Sequence, residues 1–154
     1  MIKAWRIVKT RLAASAFDGE GARRFGGRFN SVGIPAVYTA GTRSLAILEM
    51  LVHIGDEQVL PSYSICLAEF EESLVERLNV KDLPANWQDD PPPPDLLALG
   101  DSWTASMKSA ILQVPSVIVP NENNYLINPR HPDFHRIRIG PPVPFTFDER
   151  LLGK

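Results

Sequence analysis

The stretch that most constrains this chain runs from Gly21 to Gly55, GARRFGGRFNSVGIPAVYTAGTRSLAILEMLVHIG. An arginine-rich glycine loop leads into a short strand over Ala36–Ala40, and the strand into an apolar helix carrying one carboxylate, Glu49. Thr42 or Ser44 is placed to cap that helix, and Gly55 to stop it near Ile54. Leu45, Leu48, Leu51 and Val52 are expected to line its buried face, with Glu49, four residues after Leu45, at the border of that face. The order sets Arg28, Tyr38 and Glu49 on consecutive elements, where all three can converge on one small anionic ligand.

Elsewhere the pattern is a series of short strands with few helices. Residues 4–9 read as a first strand, with Trp5 and Ile7 on one face. Residues 13–27 lack a strong period and read as a long loop containing at most a helical turn. Arg28–Asn30 is expected as a short strand, followed by a turn at Gly33 and Pro35. Ser62–Phe70 alternates apolar residues on both faces, the pattern of a central strand, and Leu74–Leu78 is a further short one. Asn86–Pro94, NWQDDPPPP, is a stiff extended connection inside one domain rather than a linker between two. Asp95–Lys108 reads as a helix weakened at Gly100, with Asp101 or Ser102 capping a second segment. Ser116–Val119 is expected as a buried strand after Pro115, Asn121–Pro132 as a polar loop with an apolar insert at Tyr125–Ile127, and His135–Ile139 as an edge strand. The sum is an α+β chain forming a single domain over residues 1–154.

Composition removes several function classes. A net charge of −2 gives no global basic field for nucleic acid or a membrane surface, so any anion site must be a local cluster. Cys66 is the single cysteine, which excludes an intramolecular disulfide and a cysteine-built metal site. His53, His131 and His135 have no metal-ligand spacing. The polar N-terminus is no signal peptide, and no apolar run approaches the roughly 20 residues that span a bilayer. A soluble cytoplasmic protein without a metal is the expectation.

Arg23, Arg24 and Arg28 sit among Gly26 and Gly27, with Phe25 and Phe29 interleaved. They read either as a phosphate clamp with an aromatic wall, since guanidinium groups grip phosphate in a fork, or as a solvated basic loop paired with nearby acids. The spacing fits neither a Walker loop nor a dinucleotide fingerprint. Glu49 is either a boundary residue reaching solvent or a carboxylate facing a cleft. In the second case it suits one chemistry: stabilising the cationic sugar formed when a glycosidic bond breaks. A lone carboxylate suffices when the leaving group is already cationic, as the nicotinamide of oxidised NAD is. Tyr38 is a packed strand aromatic or a stacking platform. Ser116, taken alone, is a structural serine, because nothing at a suitable spacing marks it as an activated nucleophile.

Together these segments resemble the RES domain family, toxins of bacterial toxin–antitoxin pairs. The arginine, glutamate and serine that name the family match Arg28 in GGRFN, Glu49 in LAILEMLVH and Ser116 in VPSVIVP, and Tyr38 in AVYTA matches a further tyrosine. WRIV, FDGEGARRFGGRFN, GDSW and VPSVIVPNENNYLINPRHPDF are similar to family blocks in family order, from Trp5 to about Leu151. Phe29 departs from the pattern, which has tryptophan there. The resemblance implies an ADP-ribosyltransferase-like fold of the diphtheria-toxin type, with mostly antiparallel sheets around a cleft for NAD. It implies a toxin that depletes NAD by glycohydrolysis or phosphorolysis, or alternatively a protein ADP-ribosyltransferase; a non-catalytic module with the same fold is the third possibility. It also implies an Xre-like antitoxin that blocks the cleft, in a complex with several copies of each chain, or a homo-oligomer. In such a site Arg28 would anchor NAD and Tyr38 would pack on the nicotinamide or its ribose. Glu49 would stabilise the ribosyl cation, and Ser116 would bond the ligand or orient Glu49. Asn30, Asn121 and Tyr125 would line the site.

Overall fold

A computed structural model describes residues 1–55 and 60–153. Alternation in the first segment makes β1 (Ile2–Lys9), which points Ala4 and Val8 to one face and Ile7 to the other. Seven further strands join it: β2 (Val37–Ala40), β3 (Tyr63–Phe70), β4 (Val75–Arg77), β5 (Ile111–Pro115), β6 (Asn123–Ile127), β7 (Arg138–Ile139) and β8 (Val143–Phe145). They form one sheet in the order β4-β5-β6-β2-β1-β3-β7, with β8 also paired to β3. Every pairing is antiparallel except β4 with β5. The α+β expectation of a mostly antiparallel core describes this architecture. The β3 strand is interior, between β1 and the short strands β7 and β8, and lies next to the end of the order rather than at its centre.

Three α-helices accompany the sheet: α1 (Glu20–Phe25), α2 (Arg43–Ile54) and α3 (Pro94–Ser106). Thr42 caps α2, its Oγ1 accepting from the Leu45 N–H at 3.0 Å. The buried face of α2 differs from the expected one. Leu45, Ala46 and Ile54 are buried, whereas Leu48 and Val52 are exposed. Ala46 is small and lets the helix approach β1 and β2 closely, which turns Leu48 and Val52 outward. The same rotation brings Glu49 to the edge of the packed face.

Several local expectations are corrected. Residues 13–27 contain a 3₁₀ segment, Thr10–Ser15, and α1 rather than an open loop. Arg28–Asn30 is not a strand; it lies in a tight turn closed by backbone hydrogen bonds between Gly27 and Asn30. Ser116–Val119 is a turn, because the Ser116 hydroxyl accepts from the N–H groups of Ile118 and Val119 and diverts the chain after β5. Tyr125–Ile127 belongs to β6, an interior strand and not a loop insert. In His135–Ile139 the first two residues end a 3₁₀ helix, Pro132–Arg136, and only Arg138–Ile139 is strand, at the end of the sheet's strand order.

Helix α3 passes through Gly100 without interruption, so neither Asp101 nor Ser102 caps a second segment. Gly100 answers a different demand: a Cβ there would lie 1.6 Å from the Phe29 carbonyl oxygen. Asp101 accepts from the Ser31 N–H at 2.9 Å and from the Ser31 hydroxyl at 2.5 Å. The 27–31 turn is thereby seated on α3.

The sheet's two faces carry different cores. One holds Ala4, Val37, Phe70, Ile111 and Ile127. The other carries two smaller clusters, one beneath α2 with Ile7, Ala40 and Leu45, the other beneath α3 with Leu96, Leu112 and Leu126. Leu45 and Leu96 are almost fully buried, each worth about 1.5–3 kcal/mol relative to exposure. Between these clusters β1 and β2 share a single register pair, Trp5 opposite Ala40. A cleft opens along that seam.

Gly100→Ala should cost about 2–3 kcal/mol, since helix and turn must separate to admit the methyl group. Urea denaturation measures this, and an unchanged midpoint would show that the contact between α3 and the turn is soft.

Candidate active site

The seam between the two clusters encloses a cleft of about 1050 Å³, large enough for a dinucleotide. Arg28, Asn30, Tyr38 and Glu49 line it; Asn121 and Tyr125 do not. Asn121 is an exposed turn residue with φ 76°. Tyr125 points to the opposite face of the sheet, edge-on to Phe70, and its hydroxyl donates to Gln113 Oε1 at 3.2 Å. Strand alternation at Tyr125, next to the Leu126 of the α3 cluster, forces that direction.

Glu49 reaches the cleft from α2. Its Oε1 accepts two hydrogen bonds, from Ser116 Oγ at 3.0 Å and from Asn124 Nδ2 at 2.7 Å. No hydrogen bond from a described residue goes to Oε2. Ser116 is fully buried, and its oxygen already accepts from two backbone N–H groups while its hydrogen is given to Glu49. It stands behind the carboxylate rather than in the cleft, in the position of an orienting group and not of a nucleophile.

The arginine cluster divides. Arg23 and Arg24 belong to Glu20: Arg23 donates through Nε at 2.8 Å and Nη2 at 2.5 Å, and Arg24 through Nε at 3.4 Å. The Arg23 hydrogen bonds foremost hold the Glu20 carboxyl well below the usual range, at about 2. Those two arginines are therefore paired surface residues. Arg28 makes no salt bridge among the described residues. Its Nη1 donates to two backbone carbonyls of the proline-rich connection, Trp87 at 3.1 Å and Asp89 at 2.8 Å. Neutral partners fix its direction and leave its charge unpaired.

Tyr38 and Asn30 build the turn that carries Arg28. The Tyr38 hydroxyl donates to Asn30 Oδ1 at 2.6 Å and accepts from the Phe29 N–H at 3.0 Å. Burial pushes its pKa well above the ordinary tyrosine value. It reaches under the turn because Gly27 has no side chain; a Cβ there would lie 2.6 Å from the hydroxyl. The Asn30 amide donates to the carbonyls of Ala22, Ser31 and Ile34. With its side-chain polar atoms engaged, Asn30 clips the loop together where it lines the cleft. Tyr38 offers the cleft its ring, its hydroxyl being committed to the turn.

Two residues of the cleft were not singled out from the sequence. Arg6, on β1, directs its Nη1 to the Tyr38 carbonyl at 2.9 Å across the β1–β2 seam. Burial lowers its pKa from the ordinary arginine value, and it too makes no salt bridge among the described residues. A charged residue inside the apolar strand AWRIV was the available signal. Asn124, at the start of β6, gave none, because asparagines are ordinary at strand ends. His53, one turn beyond Glu49 on α2, also lines the cleft. Among the described residues no group of three or more His, Cys, Asp or Glu side chains is placed to hold a metal. No described helix is long and apolar enough to cross a membrane.

Residues 3–148 match the model of the RES domain. The Toxin Res of Yersinia enterocolitica is 43% identical over 148 residues, covering 96% of this chain and 97% of that protein. The Prs ADP-ribosylating toxin of a Sphingobium species is 36% identical, over 97% of this chain and 96% of its own length. In fold, the chain is similar to a chain of the M. tuberculosis MbcT–MbcA toxin–antitoxin complex, with a TM-score of 0.79 and 17% identity over 99% of this chain and 89% of that one. The chain therefore belongs to the RES domain family, among relatives that are toxins along their whole length.

Proposed function

We propose that the chain is the toxin of a toxin–antitoxin pair and that it consumes NAD by breaking the nicotinamide–ribose bond. The observation that carries this reading is the composition of one cleft, lined both by a carboxylate held through a single oxygen and by Arg28, which makes no salt bridge among the described residues. NAD presents the complementary pattern, a pyrophosphate for Arg28 and a ribose that becomes cationic for Glu49. The ADP-ribosyltransferase-like character of the fold belongs to the same reading.

Bond breaking sends the shared electron pair of the C1′–N bond to the nicotinamide ring, which leaves neutral. Positive charge spreads over C1′ and the ring oxygen of the ribose, beside Glu49. Ser116 and Asn124 keep that carboxylate in place, so little reorganisation accompanies the developing charge. Arg28 holds the phosphates, and the Tyr38 ring walls the nicotinamide or its ribose. Water then adds to C1′ and releases a proton, giving ADP-ribose; with inorganic phosphate as acceptor the product is the ribosyl phosphate. The name of the Sphingobium relative favours a second reading, in which the acceptor is a protein side chain. The partner is an Xre-like antitoxin that covers the cleft in a multi-copy cytoplasmic complex.

Purified protein supplied with labelled NAD, with and without phosphate and with cell lysate, separates the acceptors. Free ADP-ribose or its phosphate supports NAD consumption. A discrete labelled protein band supports transfer, and intact NAD in every arm would end both readings.

Glu49→Gln keeps the shape of the site and removes its charge. It should lower kcat by about 10²–10³-fold with NAD affinity within a few-fold of the parent, as at other preorganised electrostatic sites. Ser116→Ala should have the smaller effect of a lost positioning hydrogen bond, about 10-fold. Calorimetric titration beside single-turnover kinetics checks both; full turnover by Glu49→Gln would remove the carboxylate from the chemistry.

A further inference from the structure

Phe25 is 83% exposed, and every other Phe, Trp and Tyr of the chain is buried or half-buried. This one open ring lines the cleft. Val32, also exposed, lines the same cleft and lies against Gly26, the residue after Phe25: a Cβ at Gly26 would sit 3.5 Å from Val32 Cγ2. The helix that carries the ring is fixed although none of its residues is buried. The Asn30 amide donates to the Ala22 carbonyl at 2.8 Å, and the Gly33 N–H donates to the Arg23 carbonyl at 2.7 Å. Gly26, with φ 73°, ends α1 directly after Phe25. A single exposed apolar residue is ordinary. An aromatic ring presented from a fixed backbone into a cleft sized for a dinucleotide is a surface for a flat ring.

The chain sets where that surface lies. Three residues separate Phe25 from Arg28, so their Cα atoms are at most about 11 Å apart. On the other side of Arg28, the Phe29 N–H donates to the Tyr38 hydroxyl at 3.0 Å. Along the chain Arg28 therefore has an aromatic partner on either side, Tyr38 bonded to the residue after it and Phe25 three residues before it. NAD has the same order, with the pyrophosphate between the nicotinamide riboside and the adenosine. Glu49 and Tyr38 serve the reacting ribose and Arg28 the phosphates, so adenine is the flat group left without a wall and Phe25 the ring left without a partner. Stacking on an exposed ring keeps the polar edge of the base hydrated and asks only for its face.

We propose that Phe25 is the stacking platform for the adenine of the dinucleotide, with Val32 beside it. This rests on the NAD-cleaving reading above and adds to it a reason for preferring the dinucleotide to its nicotinamide mononucleotide half. No bond to adenine breaks, so the contact is the same in the bound substrate and in the transition state. It raises affinity and leaves the chemistry at C1′ to Glu49.

Phe25→Ala tests this, and because the ring is exposed the substitution opens no cavity in the core. Kinetics compare NAD with nicotinamide mononucleotide, which keeps the scissile bond and one phosphate and has no adenine. Calorimetry compares ADP with pyrophosphate, which share the diphosphate and differ in the adenosine. We expect the variant's KM for NAD to rise about 5- to 50-fold with kcat within about twofold, and its affinity for ADP to fall by a similar factor. Its kcat/KM for the mononucleotide and its affinity for pyrophosphate should stay within about twofold of the parent. Phe25→Trp should restore NAD and ADP to near the parent values. A ring that only steadies the turn of Arg28 would weaken all four ligands alike. Equal losses within each pair, or unchanged NAD and ADP, overturn the platform while NAD cleavage stands. Intact NAD with the wild type overturns the NAD reading, and the ADP and pyrophosphate pair then decides the adenine contact by itself.

Discussion

A carboxylate at the edge of an apolar helix face must be either released to solvent or held, and here it is held through one oxygen. Ser116 and Asn124 both donate to Glu49 Oε1, and they come from the two ends of the β5–β6 connection. The contact ties α2 to the β5–β6 connection and sets the direction of the carboxylate. It also explains the turn after β5. The Ser116 hydroxyl can point its hydrogen at Glu49 because its lone pairs are taken by Ile118 and Val119. A continued strand at Ser116–Val119 would have offered no such hydroxyl geometry.

The opposite wall depends on a second buried polar network. Asn30 and Tyr38 satisfy one another and the backbone around them, while Gly27 and Gly100 supply the space. Networks of this kind specify one conformation, because each unpaired member would carry a cost of its own. The order imposed on the turn is passed to Arg28, whose remaining freedom is taken up by the carbonyls of Trp87 and Asp89. The proline-rich connection is therefore part of the site as well as a link between elements.

Local signals in the sequence were reliable where one element decides the outcome. Thr42 and Gly55 bracket α2, alternation identifies β1 and β3, and the glycine and arginine loop around residue 28 lines the cleft. They failed where a distant partner decides. Gly100 reads as a helix breaker until the Phe29 carbonyl is seen against it. Leu48 and Val52 read as core until Ala46 is seen to set the helix's approach. Tyr125 has the chemistry of a ligand contact, but strand register turns it away, and Asn30 lines the cleft with its amide bonded to the backbone around it. Family resemblance located Arg28, Tyr38, Glu49 and Ser116; only coordinates could separate a side chain that faces the cleft from one that props up a neighbour.

The way the charges are held bears on what the cleft can bind. Opposite charges at about 4 Å near a protein surface attract by roughly 4 kcal/mol, so an arginine paired directly with Glu49 would make a ligand compete against that pairing. The structure holds the carboxylate with a hydroxyl and an amide, and the guanidinium groups of Arg6 and Arg28 with backbone carbonyls. Each such neutral hydrogen bond is worth about 0.5–1.5 kcal/mol, enough to fix a direction without cancelling a charge. Arg23 and Arg24 show the other arrangement a few residues away, where Glu20 takes both. Arg28, which makes no salt bridge among the described residues, brings an unpaired positive charge to the cleft of a protein whose net charge is −2. A local charge then does what the net charge cannot, and a ligand with a diphosphate at one end and an incipient cation at the other meets charges that no internal partner has claimed.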